Sequence, residues 1–160
     1  MWPILRSVRY RLTIAYDGTD FHGWQRQLQP EATAREHGHK APADDQGRVE
    51  LRTVQSVLAQ AITEVIRQPV HVQGASRTDA GVHARHQTAA FSTTDDRLGP
   101  PDERMGRAIN SRLPEDVIVR EARRVPEDFD PIGDCVVKGY RYSLFSSQSR
   151  PLWDRRTLHH

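Results

Sequence analysis

The run Gly74-Ala75-Ser76-Arg77-Thr78-Asp79-Ala80-Gly81-Val82-His83-Ala84 gathers a guanidinium, a carboxylate, two hydroxyls and an imidazole within eleven residues. Arg77 and Asp79 stand two residues apart. In extended backbone their side chains project the same way, so the guanidinium can hold the carboxylate ionised and aimed. Gly81 permits a tight backbone behind them. A polar loop on a rigid scaffold is where catalytic groups are usually held, and an ordinary turn with a surface ion pair fits the same spacing.

Two further clusters carry recognition chemistry. Lys138-Gly139-Tyr140-Arg141-Tyr142 sets two aromatics on one face of a strand beside two cations, a combination that stacks an unpaired base and grips its phosphate. It equally suits a strand with tyrosines in the core and basic residues in water. Asp17-Gly18-Thr19-Asp20-Phe21-His22-Gly23-Trp24-Gln25-Arg26-Gln27 mixes aromatic, amide and arginine groups that can grip RNA or build a hydrogen-bonded loop around Trp24. The histidine pairs His37 and His39, His83 and His86, and His159 and His160 lack a carboxylate or cysteine at ligand spacing, so no metal site is expected. Phosphate-loop, dinucleotide and Gly-x-Ser-x-Gly signatures are absent, and no cofactor is expected.

The elements that must position these groups follow from periodicity. Arg9 to Tyr16 alternates, with Leu12, Ile14 and Tyr16 on one face, and stops at Asp17-Gly18 as a strand entering a turn. Thr53 caps a helix whose apolar residues Val54, Val57, Leu58, Ala61, Ile62, Val65 and Ile66 keep the helical period until Pro69. Strands are expected over Val70–Ala75, Gln87–Thr93, Val117–Arg124 and Val136–Phe145, with a second helix over about Asp102–Ser111 after Pro100-Pro101. Residues 29–50 hold almost no large apolar side chain and read as an inserted flexible loop. The order β-α-β-β-α-β plus one strand predicts an α+β, ferredoxin-like (split βαβ) antiparallel sheet with both helices on one face.

Length and composition set the outer bounds. A chain of 160 residues is one domain or half of something larger, and 36% hydrophobic residues imply a modest core beside a very polar stretch. The net charge of +2 permits nucleic acid without demanding it, although all but two of the 23 basic residues, Lys40 and Lys138, are arginine. That bias suits phosphate contacts and is also what a genome-wide codon preference produces. Cys135 stands alone, which excludes an intrachain disulfide and suits a reducing compartment. Met1 to Ser7 is too short an apolar run for a signal peptide and no window is long enough to span a membrane, so a soluble cytoplasmic protein is expected.

Taken together, the clusters resemble a known family. Tyr16-Asp17-Gly18, Phe21-His22-Gly23-Trp24-Gln25-Arg26-Gln27, Thr53-Val54-Gln55, Arg77-Thr78-Asp79-Ala80-Gly81-Val82-His83-Ala84, Ala108-Ile109-Asn110 with Leu113-Pro114, and Tyr140-Arg141-Tyr142 are similar in order and spacing to the tRNA pseudouridine synthase A (TruA) family. The resemblance implies an isomerase that converts uridine to pseudouridine in the anticodon arm of tRNA, at positions 38 to 40, without cofactor or metal. It implies Asp79 as the catalytic aspartate and Arg77, Tyr140, Arg26 and Arg141 as substrate-binding residues. Arg77 would pair with Asp79 and help displace the target base, and Tyr140 would stack on the uracil. Members commonly continue for a second half that completes the cleft and act as homodimers. Residues 1–160 are thus expected to form the N-terminal half of the catalytic domain and to be inactive alone. Two departures stand out. The 29–50 stretch exceeds the family's usual link, and Asp130-Pro131-Ile132-Gly133-Asp134 lacks the arginine usual after Asp128-Phe129. A non-catalytic RRM-like RNA-binding module is the alternative reading, and a divalent-metal hydrolase using the histidines a weaker third.

Overall fold

The computed structural model describes residues 6–94 and 97–160. Strand β1 (Ser7–Tyr16) runs through the middle of the sheet and alternates as expected. Tyr10, Leu12, Ile14 and Tyr16 are buried, while Arg9, Arg11 and Thr13 take the other face. The segment Gly18–Asp20 that follows is a single 3-10 turn, with the Asp17 side chain accepting from the Thr19 amide.

Helix α1 (Glu31–Glu36) and the short strands β2 (Leu28–Pro30) and β3 (Arg48–Glu50) occupy the stretch read as a loop. β2 and β3 pair antiparallel, and Ala34 and Val49 are fully buried beneath them. The stretch expected to be an inserted flexible loop therefore contains a short helix and a paired hairpin. Two apolar side chains and the ladder suffice to seat a small hairpin, which a scarcity of large hydrophobic residues conceals.

Helix α2 (Val54–Ile66) begins with a reciprocal cap in which Thr53 accepts from the Ser56 amide and the Ser56 hydroxyl accepts from the Thr53 amide. Val54, Leu58, Ala61, Ile62 and Ile66 form its buried stripe, each large member contributing about 1.5–3 kcal/mol. Arg67 ends it in the left-handed region at φ 59°, two residues before Pro69.

Strand β4 (Val72–Gly74) and the long strand β5 (Ala84–Thr94) flank the motif run on either side. Helix α3 (Asp102–Asn110) follows Pro101 and buries Met105 and Ile109. Its Asn110 amide then bonds both backbone groups of Val119 in strand β6 (Val117–Val125). The sheet order is β4-β5-β1-β6, antiparallel throughout. Side chains of α2, α3 and the buried face of β1 join one core, where the Tyr10 and Phe91 rings stack at 5.1 Å. The fold is therefore α+β with an antiparallel sheet.

The expected strand over Val136–Phe145 is not formed. Val136, Val137, Tyr142 and Leu144 are 75–99% exposed, and the segment's pairing is limited to an isolated bridge between Leu144 and His159. An alternating pattern makes a strand only where a neighbour supplies its ladder bonds, and among the described residues none does.

Candidate active site

Residues 75–83 leave the end of β4 and reach β5 without regular structure, yet the run is fixed at many points. The amide of Ala75 donates to the Thr88 carbonyl at 2.8 Å, and the Gln87 side chain donates to the Ser76 carbonyl. The Thr78 carbonyl accepts from the Trp24 amide at 2.9 Å, and the Tyr16 hydroxyl lies 2.8 Å from Thr78 Oγ1. Gly81 donates to the Phe21 carbonyl, and the Val82 amide closes a turn on the Asp79 carbonyl.

Glycine is required where the backbones meet. Gly23 sits at φ +83°, and a Cβ there would come within 2.6 Å of the Thr78 carbonyl oxygen. A Cβ on Gly74 would meet the Trp24 indole at 2.5 Å. Trp24, 3% exposed, thus fills the space behind the run and packs on Tyr16 at 6.4 Å.

The result is an alternation. Ser76 and Thr78 are half-buried and held from within, whereas Arg77 and Asp79 are exposed. Neither Arg77 nor Asp79 has a side-chain hydrogen bond or ion pair among the described residues. The Arg77–Asp79 pair expected from the spacing is therefore not made. Both charges lie in water, where pairing gains little.

Tyr140 comes to this edge although its strand does not form. Its hydroxyl lies 2.7 Å from Ser76 Oγ with the ring 65% exposed, and the neighbouring Lys138 ammonium donates to the Ala75 carbonyl at 2.7 Å. Arg141 is exposed and unpaired among the described residues. Arg26 is placed elsewhere. Its guanidinium makes a two-pronged contact with Glu50, both bonds 2.9 Å, across the hairpin. It lines a cleft of about 830 Å³ along α2 that includes none of residues 76–84. Asp79 itself stands at the open surface.

Burial pushes the Tyr16 hydroxyl above its ordinary pKa, with the nearby Tyr140 adding to the effect and the Thr78 hydrogen bond opposing it. At the other end of the run, His83 Nδ1 accepts from the Gly18 amide at 3.2 Å and lies 3.0 Å from Asp17, while Nε2 donates to the Arg156 carbonyl. Hydrogen bonds from the Thr19 hydroxyl and amide, helped by the charge of Arg156, hold the Asp17 carboxyl below the usual range. Among the described residues no three His, Cys, Asp or Glu side chains gather closely enough to hold a metal ion. No described helix is long and apolar enough to cross a membrane.

Trp24 anchors a hydrogen-bonded loop, one of the two readings its cluster offered, whereas the supporting role of Tyr16 was not visible in residue chemistry. A tyrosine ending an alternating strand just before Asp-Gly was visible, but its partner lies 62 residues away.

A sequence model described as tRNA pseudouridine synthase matches residues 12–132. Curated relatives named tRNA pseudouridine synthase A include one from Solidesulfovibrio magneticus, 43% identical over 148 residues, covering 92% of this chain and 46% of the relative. One from Methylacidiphilum infernorum is 40% identical over 142 residues, covering 89% and 46%. One from Thermotoga maritima is 33% identical over 148 residues, covering 92% and 51%. The chain spans about half the length of the curated relatives it matches.

Proposed function

The chain belongs to the tRNA pseudouridine synthase family, and from that premise we propose that the protein isomerises uridine to pseudouridine in tRNA with Asp79 as the catalytic carboxylate. The observation that supports this most is the alternation at 76–79: a loop locked on its inner side that offers Arg77 and Asp79, unpartnered among the described residues, to an incoming ligand. A group held in place before substrate arrives needs little reorganisation at the moment of reaction.

The isomerisation breaks the bond from uracil N1 to ribose C1′, turns the base, and forms a bond from C5 to C1′. The proton leaves C5 and N1 gains one, so atoms and charge balance with no oxidant or cofactor. Asp79 assists the break and re-formation at C1′. Tyr140 stacks on the displaced uracil and, through its hydroxyl, helps remove the C5 proton. Arg77 holds the flipped nucleotide, whose extraction from a stacked stem costs a few kcal/mol. Arg141 contacts phosphate directly, and Arg26 does so from its place on the hairpin.

The finer reading follows the same premise. The strand order β4-β5-β1-β6 with α2 and α3 in one core is read as ferredoxin-like. The anticodon arm, positions 38 to 40, is the substrate region, and the active form is a cytoplasmic homodimer. An RRM-like binding module has the same layout but no use for an outward carboxylate on an anchored loop.

The test is incubation of the full-length protein with tRNA tritiated at uridine C5. Release of tritium with accumulation of pseudouridine is expected. Tight tRNA binding without release would replace the enzyme with the RNA-binding module.

A further inference from the structure

Asp79 is exposed and, among the described residues, no side chain bonds or pairs with its carboxylate, so whatever aims it acts through the backbone. The residue before it is gripped at both ends. Thr78 Oγ1 lies 2.8 Å from the Tyr16 hydroxyl, and its carbonyl accepts from the Trp24 amide at 2.9 Å. Tyr16 is the last residue of the central strand, 4% exposed, and its ring is braced by Trp24. A hydroxyl on a strand inside the sheet is among the most rigid hydrogen-bond partners a fold can offer.

We infer that Tyr16 is a positioning residue that, through the Thr78 hydroxyl, fixes the backbone from which Asp79 projects. The chemistry of the pair supports it. Both groups are neutral hydroxyls at physiological pH, and burial moves Tyr16 further from ionisation, so the pair shares one hydrogen bond whichever hydroxyl donates. Without that bond, Thr78 keeps its carbonyl anchor but its side chain can turn. The backbone at 78–79 then gains freedom that the exposed carboxylate has no contact to resist. A displacement of about 1 Å at a reacting group can cost on the order of 10²-fold in rate.

This rests on the reading of Asp79 as the catalytic carboxylate, so the test has one arm that does not need turnover. In the 160-residue chain, backbone amide relaxation at Thr78, Asp79 and Ala80 is compared between wild type and Tyr16→Phe, which keeps the ring and its packing. Lower order parameters at these three amides, with β1 and α2 unchanged, are expected. Unchanged order parameters would overturn the inference. In the full-length protein, Tyr16→Phe and Thr78→Val should each lower kcat by about ten-fold or more, with the Kd for tRNA within about twofold. Their combination should be no worse than either alone, and Thr78→Ser should restore the rate. Wild-type kcat in Tyr16→Phe, or parallel loss of kcat, Kd and melting temperature, would reduce Tyr16 to a packing residue. Absence of turnover in the wild type would instead remove the pseudouridine reading and leave the relaxation result to decide whether Tyr16 orders the loop.

Discussion

Residues 74–84 and 136–145 meet at two contacts, Ser76 with Tyr140 and Ala75 with Lys138, and owe their conformations to different things. The first has no regular structure over 75–83, yet β1, the 21–24 segment and β5 each bond to it. The second has the alternation of a strand, yet most of its apolar side chains face water. An irregular loop can be the better-defined part when the surrounding core supplies partners for its backbone, and a regular pattern stays unrealised when no neighbour is present.

Glycine substitutions sharpen that comparison most. Gly74→Ala and Gly23→Ala push a methyl into a buried indole or a backbone carbonyl, so each should cost about 2 kcal/mol or more in urea unfolding. Gly139→Ala has nothing within 4 Å and should change stability by less than about 0.5 kcal/mol. Equal effects at the two regions would break the contrast.

Next in size is the clamp beneath the sheet. Asp102 accepts from the Tyr10 hydroxyl at 2.6 Å and pairs with Arg97 and Arg124. Burial by itself pushes its carboxyl up, but the Tyr10 hydrogen bond and the two arginines outweigh it and hold the carboxyl below its ordinary value of 3.8. A depressed folded pKa gives stability that is complete above the unfolded value and lost as pH falls toward the folded one. Asp102→Asn should therefore cost about 1–2 kcal/mol at pH 7, and the gap in melting temperature should begin to close only as pH falls below the ordinary value of 3.8, closing fully below the depressed folded pKa. A gap that persists in acid would assign the loss to packing.

Binding separates the cations more gently. Arg77→Ala and Arg141→Ala should each lower the salt dependence of tRNA affinity by a slope of about 1, because among the described residues neither charge is paired and both face solvent. Arg26→Ala should change it less, since Glu50 already neutralises that guanidinium. The smallest effect is expected from Tyr140→Phe, which loses one exposed contact with Ser76 and should shift unfolding by less than about 0.5 kcal/mol. A large loss there would mean that 136–145 is as firmly held as the loop.

What was readable in the sequence follows the same division. Helix α2 carries its cap at Thr53, its stripe and its stop at Pro69 within one short window, so its limits came out nearly as observed. The 74–84 run was legible as chemistry because its residue types are unusual together. Its support was not, since Tyr16 and Thr78 are joined only by the meeting of β1 with the loop, and Arg26 and Glu50 only by a hairpin closed across 24 residues. The 29–50 hairpin was hidden by its polar composition, and 136–145 was overread because alternation records what a segment can do once it has a neighbour.

The central claim is that the Asp79 carboxylate carries the chemistry and does not merely help to hold RNA. Single-turnover tritium release from C5-labelled tRNA, with wild type and Asp79→Asn of the full-length protein at saturating enzyme, tests it directly. A fall in rate of about 10³-fold or more is expected, with tRNA affinity within about twofold and an unchanged melting temperature. Near-normal release by Asp79→Asn would contradict it.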